Sequence, residues 1–223
     1  MIKEKVINMS HKVKVEQPRL PRSLEEKYFQ KVYDQDESYI NACIIKDVAI
    51  DGEITGHIEF SQVIFKNVIF NDVSFENIVL TDVVFEKCDL SNTSFMGGNF
   101  HRVEFRESKM LGVNLAEASL TNVLFDNCNL NLSAFGYARF KRVKFNHCSM
   151  HSADCYECTF NNVAFDTCDL DKANLSGTPL KGIDLSNSTF QMLTLSLEDL
   201  YGCEVSTDQA IGFSKLLGLV IKE

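Results

Sequence analysis

The chain has 223 residues, 45% of them hydrophobic, and a formal net charge of −9. This length allows one large core, and the acidic balance argues against direct binding to nucleic acid or to an anionic membrane and favours basic partners. No apolar run approaches the length of a membrane-spanning helix, and the N-terminus lacks the apolar stretch of a signal peptide. We therefore expect a cytoplasmic protein whose eight cysteines stay reduced.

Residues 1–39 contain Pro18 and Pro21, carry balanced charges and show no repeat. A solenoid exposes the edge of its first coil, and such an edge has to be covered. Several outward positions of the next coils are apolar: Ile44, Ile54, Ile64, Ile69, Val79 and Val84. We predict that residues 1–39 form an N-terminal capping segment that packs there, although a partner protein could use the same patch.

Residues 40–205 repeat with a period of five. Every residue number divisible by five from Phe60 to Val205 is Phe, Leu, Met, Cys or Val, which makes 30 consecutive positions. An amphipathic helix or a simple strand does not keep this phase. The residue two places earlier is also small or apolar, and in an extended segment these two side chains point the same way. Each pentapeptide therefore predicts one short side of a coil, followed by a corner.

A longer period of twenty gives the number of sides. Stepping by twenty residues produces columns of like residues: Val63, Val83, Val103, Val123, Val143, Val163 and Ile183, beside Phe65, Phe85, Phe105, Phe125, Phe145, Phe165 and Leu185. Four pentapeptides therefore close one turn. Successive turns should stack at about 4.8 Å, the spacing of parallel strands. The sequence predicts an all-β, four-sided parallel β-helix over residues 40–205.

The repeat units spell a known motif. The pattern A/C/S/T/V-D/N-L/F-x-x occurs in CDLSN (88–92), CNLNL (128–132), CDLDK (168–172), ANLSG (173–177) and IDLSN (183–187). These segments resemble the pentapeptide-repeat proteins, and the resemblance covers about three quarters of the chain. It implies a right-handed quadrilateral β-helix.

The cysteines follow the same repeat. Seven occupy the position two residues before an inward residue, and Cys155 is itself at an inward position. All eight should point into the coil as small buried hydrophobes. One column has a spacing that would also allow disulfides, which we do not expect in a reducing compartment: Cys88, Cys128, Cys148 and Cys168.

The chain offers few groups that could carry out catalysis. His151 should lie outside the coil whereas Cys155 and Cys158 lie inside, so the three do not converge on a metal ion. His147 and Cys148 fail as a base and nucleophile for the same reason. There is no glycine-rich phosphate loop. We therefore predict no enzymatic activity, no cofactor and no metal site.

Charge is distributed unevenly along the repeat. Residues 40–89 contain 3 basic residues (Lys and Arg) and 9 acidic residues (Asp and Glu), residues 90–153 contain 7 basic and 4 acidic, and residues 154–205 contain 2 basic and 9 acidic. The simplest interpretation is a solvated surface. The alternative is mimicry of DNA, which carries one negative charge per about 1.7 Å. Only residues 154–205, if two copies meet in a dimer, approach that charge density.

The repeat ends in a helix signal. Ser206 with Gln209 three residues later forms a capping-box pattern, and the helix should continue through Leu217 to Gly218. The following Leu-Val-Ile is too apolar to lie free in water, so burial in a two-fold dimer is expected, with packing on the last coil as the alternative. Residues 206–223 are thus predicted to be a C-terminal helix and dimerisation tail, with this interface: Ile211, Phe213, Leu216, Leu217, Leu219, Val220 and Ile221.

The tail carries a second resemblance. The segments LKGIDLSNSTF (180–190) and STDQAIGFSKLLGLVI (206–221) resemble the C-terminus of the quinolone-resistance (Qnr) pentapeptide proteins, especially the chromosomal Gram-positive members. The resemblance implies a homodimer joined through its C-terminus, which mimics DNA, binds DNA gyrase or topoisomerase IV and lowers fluoroquinolone susceptibility.

One departure from Qnr matters. Many Qnr proteins carry loops that interrupt the β-helix, whereas residues 60–205 keep an unbroken period. The chain is either of the loopless subgroup or contacts the topoisomerase differently, and it could inhibit rather than protect the enzyme.

The resemblance to Qnr implies an acidic surface that faces the topoisomerase: Asp126, Asp154, Glu157, Asp166, Asp169, Asp171 and Asp184. Asp126 and Asp166 share a column, and Asp184 should lie on the same side of the coil. The alternative function is a pentapeptide-repeat interaction scaffold for some other protein.

Overall fold

Long strands recur every twenty residues in a computed structural model that describes residues 13–29, 39–52 and 58–221. The elements, in chain order, are β1 (Glu25–Glu26), β2 (Tyr39–Lys46), β3 (Ala49–Asp51), β4 (Glu59–Lys66), β5 (Ile69–Asn71), β6 (Val79–Glu86), β7 (Asn99–Arg106), β8 (Ser119–Asp126), β9 (Arg139–Asn146), β10 (Thr159–Asp166), the helix α1 (Thr207–Phe213) and a 3₁₀ helix (Ser214–Leu217). Ile54, and parts of both predicted terminal segments, lie outside the described residues.

All pairings are parallel and follow the period of twenty. The main sheet has the order β1-β2-β4-β6-β7-β8-β9-β10, and β3 pairs with β5 in a second sheet. Phe105, for example, pairs with Phe85 on one side and with Phe125 on the other. Beyond the strands, single bridges keep the same step as far as Asp184 and Glu204. The predicted β-helix of pentapeptide repeats is confirmed.

The corners are made by left-handed residues. From residue 42 to residue 182 of the described repeat, residues two places after an inward residue have positive φ, such as Asn92 at 57° and Gly97 at 69°. Asn, Asp and Gly adopt this conformation most readily, and they occupy many of the corners. A corner every five residues turns the chain through four sides per coil. Each side buries two inward residues, as the sequence predicts.

We number the sides by the inward pairs of one coil. Side one holds Val83 and Phe85, side two Cys88 and Leu90, side three Thr93 and Phe95, and side four Gly98 and Phe100. The long strands run from side four across a corner into side one. The core is aromatic on side one, where the rings at 65, 85, 105, 125, 145 and 165 stack with centroids 4.8–5.0 Å apart.

Residues 13–29, the N-terminal segment, lie along this column of strands. Near its end, β1 pairs with β2 through Glu25 and Glu26, and Phe29 is buried against Phe60 with ring centroids 6.5 Å apart. The strand edge of the first coil is therefore paired, and the Phe29 ring covers the interior of that coil. Where the segment joins the coil is not described, so the predicted boundary at residue 39 stays a prediction.

The N-terminal segment is held by side chains of a single corner column. Asp82 Oδ1 accepts the Arg19 N–H at 2.8 Å, and Gln62 donates to the Arg19 carbonyl at 3.0 Å. Further along, Asn122 Oδ1 accepts the Glu16 N–H at 3.3 Å. These contacts engage the main chain of the segment, so they hold it in an extended form whatever its side chains are.

Charged groups are buried close to this segment. The Asp82 carboxylate accepts two hydrogen bonds from the Arg102 guanidinium, at 2.5 and 2.8 Å, and both side chains are largely buried. Burial opposes ionisation of Asp82, but the bonds from Arg102 and from the Arg19 N–H hold the pKa of Asp82 below its ordinary value. Glu104, 2% exposed, accepts from Arg106 Nε at 2.7 Å.

The C-terminal helix begins as predicted. Ser206 accepts the Gln209 N–H, the Gln209 side chain accepts the Ser206 N–H, and α1 follows. The Gln209 amide also donates to the carbonyls of Leu185 and Ser188 at 2.8 Å each, which ties the helix to the last coils. The prediction of an α-helix as far as Leu217 is wrong for the last turn, which is a 3₁₀ helix. Gly218 follows with φ of 71°.

Candidate interaction surfaces

The predicted acidic residues are spread over three sides of the rod. Side one carries Asp126, Asp166 and Asp184, because residue 126 aligns through residue 146 with residue 166, and Asp184 lies between the buried residues Ile183 and Leu185 of the same side. Side two carries Asp169 and Asp171. Side three carries Asp154, with Glu157 at the corner that follows it. The structure thus places the first three on one side, Asp169 and Asp171 on the adjoining side, and Asp154 and Glu157 on the opposite side.

Local partners reduce the free charge on side one. Asp166 forms an ion pair with Lys144, with 2.9 Å between Oδ2 and Nζ, and this ammonium lowers the pKa of Asp166. Asp126 accepts a hydrogen bond from the Asn146 amide at 2.5 Å. Asp184 caps its own turn by accepting the Ser186 N–H at 2.8 Å. Asp126 and Asp184 therefore have no cationic neighbour within ion-pair distance in the described chain, whereas Asp166 does.

On side two, the two carboxylates are fixed by backbone donors. Asp169 accepts the Asp171 N–H at 3.0 Å. Asp171 accepts the N–H groups of Gln191 at 2.8 Å and Met192 at 3.1 Å, and these bonds lower the pKa of Asp171. His151 Nδ1 lies 3.7 Å from Asp171. This carboxylate therefore has a structural function as well as a charge.

The C-terminal tail exposes its apolar side chains. Six of the seven predicted dimer residues are exposed: Ile211, Leu216, Leu217, Leu219, Val220 and Ile221. Phe213 is half-buried, because its ring packs against Phe190 with centroids 5.5 Å apart. Between α1 and the last coil lies an apolar groove of about 270 Å³, lined by Leu197, Leu200, Cys203, Val205, Ala210, Phe213, Ser214 and Leu217. The tail is thus arranged around an open apolar groove.

The cysteines point inward as predicted. Seven are buried, Cys203 is half-buried, and all eight are free thiols. Burial raises the pKa of Cys88 to about 12 and that of Cys203 to about 11. His151 lies outside the coil, away from Cys155 and Cys158. The part of the chain that the structure describes contains no group of three or more residues suited to hold a metal ion.

Sequence reasoning missed two features. The first is the burial of charged groups, because residues 82, 102 and 104 occupy positions that the repeat assigns to the surface. The second is a group of exposed apolar residues on side three: Leu132, Tyr137 and Tyr156. The signal for it was present, since Leu132 and Tyr137 occupy corners at which Asn or Gly would be expected.

No helix among residues 13–29, 39–52 and 58–221 is long and apolar enough to cross a membrane.

Comparison with known proteins agrees with the fold. Family models described as "pentapeptide repeat region" match residues 78–140 and 138–209, and "pentapeptide repeats (8 copies)" matches residues 58–97. The uncharacterised protein YisX of Bacillus subtilis (strain 168) is 39% identical over 211 residues, which cover 95% of this chain and 99% of YisX.

Solved structures with related folds are more distant. A trypsin-treated form of QnrB1, a plasmid-mediated fluoroquinolone resistance protein, is 18% identical with a TM-score of 0.41, over 83% of this chain and 92% of that one. HetL, a pentapeptide-repeat protein involved in heterocyst differentiation regulation from the cyanobacterium Nostoc sp. strain PCC 7120, is 14% identical with a TM-score of 0.33, over 82% and 95%. At these scores neither likeness carries a functional argument. The family models and the identity to YisX do show the family: this chain belongs to the pentapeptide-repeat proteins.

Proposed function

We propose that this chain is a DNA-mimicking protein that binds a type II topoisomerase, DNA gyrase or topoisomerase IV, and lowers fluoroquinolone susceptibility. The observation that carries the proposal is the free negative charge near the C-terminus. Residues 154–205 hold nine carboxylates against two basic residues. In the described chain, only Asp166 and Asp171 of these nine lie within ion-pair distance of a basic side chain. Such carboxylates can take the place of DNA phosphates against a basic surface.

A dimer through the tail is part of this proposal. The groove between α1 and the last coil is apolar and open, and the exposed side chains of residues 216–221 continue it. A two-fold axis here would let each tail cover the groove of the other protomer. It would also bring two acidic segments together, which doubles the local charge. Homodimerisation thereby serves the mimicry, because a single rod carries charge more sparsely than DNA does.

The test is a supercoiling assay with purified DNA gyrase, with and without ciprofloxacin, over a range of protein concentrations. Protection appears as supercoiling that is restored in the presence of the drug, and simple inhibition appears as supercoiling that is lost in its absence. A direct binding measurement at increasing salt should show steeply falling affinity, because the contacts are between charges. Absence of binding at low salt would exclude gyrase, and the same assay with topoisomerase IV would then decide the proposal.

A second candidate function is an interaction scaffold with a different protein partner. It is favoured by the spread of the acidic residues over three sides, since a DNA mimic would be better served by carboxylates along a single face. The two candidates differ in the topoisomerase assays, because a scaffold of this kind would leave both enzymes unaffected.

A further inference from the structure

A group of aromatic and acidic side chains occupies the middle of side three. We call it the tyrosine patch and define it as Leu132, Tyr137, Tyr156, Glu117, Asp154 and Glu157. The two tyrosine rings meet edge to face, with centroids 5.5 Å apart and planes at 87°. Tyr137 is 53% exposed and Leu132 62% exposed. Gly136 lies beside the patch, where a Cβ would be in ordinary van der Waals contact with the Tyr156 carbonyl and Asp154.

Folding alone does not explain the apolar residues of this patch. Leu132 and Tyr137 sit at corners with φ of 58° and 62°, a conformation that Asn and Gly adopt more readily than Leu or Tyr. Asn77 and Gly97 occupy the same corner as Tyr137 in earlier coils. Since both apolar side chains point into solvent, they gain little from burial.

The charge around the rings is negative and unpaired. One corner column reads Glu117, Tyr137 and Glu157, so the backbone of Tyr137 lies between those of two acidic residues at the spacing of stacked strands, about 4.8 Å. Asp154 is held on the same side by the Asn174 amide at 2.8 Å and the Tyr156 N–H at 3.2 Å. None of the three carboxylates forms an ion pair with another residue that the structure describes. Glu157 beside its hydroxyl raises the pKa of Tyr156.

Flat rings flanked by carboxylates fit one chemical group in particular. A guanidinium stacks on an aromatic face and donates paired hydrogen bonds to a carboxylate at the same time. A lysine ammonium makes the second contact without the same planar fit. An anionic ligand would be repelled by all three acids. An apolar partner would have to bury them unpaired, which is costly.

We propose that the tyrosine patch is a docking surface for an arginine-rich segment of a partner protein. The arginine side chains lie against Tyr137 and Tyr156 and bind Glu117, Asp154 and Glu157. Asp154 and Glu157 also belong to the acidic surface predicted to face the topoisomerase, but the proposal goes beyond topoisomerase binding, because it depends on the rings of Tyr137 and Tyr156. It applies to a partner of any identity that presents such a segment.

The test uses a fluorescein-labelled peptide of alternating arginine and serine and its lysine counterpart, with binding followed by fluorescence anisotropy. The parent protein should bind the arginine peptide more tightly than the lysine peptide. The double variant Tyr137→Asn, Tyr156→Ser should weaken arginine-peptide binding about 5-fold, from the loss of stacking at an exposed site. This variant should fold, since Asn77 and Ser176 occupy the same two columns in other coils.

A matched control is the double variant Asp72→Asn, Glu76→Gln, which removes two exposed carboxylates from side three at a distance from the rings. It should leave the preference for arginine intact. The proposal is overturned if the parent binds neither peptide, if both peptides bind equally, or if the control weakens binding as much as the tyrosine variant does. It is also overturned if the tyrosine variant changes the oligomeric state in light scattering, because the patch would then be a contact between copies of this chain.

Discussion

The rings of Phe105 and Phe125 lie face to face, with centroids 5.0 Å apart and planes 4° from parallel. Both side chains are fully buried, and each has a further ring stacked on its other face. Replacing either with Ala should lower the free energy of unfolding by about 3 to 5 kcal/mol, since it leaves a cavity in a column that cannot collapse. Urea denaturation measures this directly.

Phe190 provides the control for the aromatic column. It is half-buried at the end of the repeat, where it contacts Phe213. Phe190→Ala should therefore cost clearly less than Phe105→Ala. Equal losses at both positions would mean that the stacked column contributes nothing beyond ordinary burial.

Arg102 should be far more sensitive to substitution than its place in the repeat suggests. Arg102→Met leaves the Asp82 carboxylate buried without its cation and should cost about 3 kcal/mol at neutral pH. Arg139→Met is the control, because Arg139 is exposed and forms no ion pair in the described chain. The free energy of unfolding of this control variant should lie within about 0.5 kcal/mol of that of the parent.

The contribution of Asp82 should also depend on pH. Its pKa in the folded protein lies below the ordinary value of 3.8, so the stabilisation is complete above that value and is lost as the pH falls through the lower, folded pKa. Arg102→Met should accordingly differ less from the parent in acid than at pH 7. Urea midpoints of the parent and of Arg102→Met should be measured from acid to pH 7. A constant difference between the two proteins would contradict a pH-dependent contribution of Asp82.

The period of the sequence was sufficient to predict the β-helix, because each inward position repeats a simple physical requirement. Phe65 and its column must be apolar, and they stack directly on one another. The burial of Asp82 and Glu104 could not be predicted in this way. Asp82 is contacted by the N-terminal segment, whose sequence has no period and whose contacts use its main chain, as at Arg19. Only the folded structure shows which corner column of the coils the N-terminal segment follows.

The apolar tail should control assembly. The double variant Leu216→Asp, Leu219→Asp is expected to give a monomer with its coils intact, since solenoid coils depend mainly on their neighbours. Truncation after Val205 is a poorer test, because it also removes the Gln209 bonds to the last coils. Light scattering reports the mass and circular dichroism the fold. A dimer that survives the double variant would place the interface elsewhere.

Charge reversal near the C-terminus should abolish topoisomerase binding. The triple variant Asp166→Lys, Asp169→Lys, Asp184→Lys removes carboxylates of the acidic segment, and all three positions lie outside the core. The matched variant is Asp72→Lys, Glu76→Lys, Glu86→Lys. Each triple contains one carboxylate that is paired with a lysine, Asp166 with Lys144 and Glu86 with Lys66, so the two changes are comparable.

Binding of both triples to gyrase should be measured at low salt, where interactions between charges are strongest. The first should lose binding and the second should retain most of it. Equal loss in both, or in neither, would remove the case for a DNA mimic focused at the dimer axis. The tyrosine patch is untouched by either triple, so its peptide binding should persist.

The thiols should be inert in the folded protein. Burial raises the pKa of Cys88 to about 12, so almost no thiolate is present near pH 8 to attack a disulfide reagent. Half-buried Cys203, with a pKa of about 11, should react first. Titration with Ellman's reagent should find all eight thiols in urea and only slow reaction without it. Rapid reaction of several thiols in the native state would contradict the inward placement.

The candidate surfaces were harder to predict than the core, for a related reason. The core does not constrain the identity of an outward residue. The repeat therefore predicts the position of such a residue but not its contacts. Asp184 and Asp166 could be placed on one side by counting, whereas the pairing of Asp166 with Lys144 joins residues that are 22 apart. Tyr137 and Tyr156 lie 19 apart and meet only because one coil stacks on the next.

The capped first coil limits how many copies can join. A solenoid with two open ends can add molecules head to tail without limit and form a filament. Here β1 pairs with the outer edge of β2, and the Phe29 ring covers the interior at that end. The apolar groove and tail leave the opposite end free to associate. If the molecule associates through this one end, as proposed above, it can form only a closed pair, and a high concentration would not convert the rod into fibres.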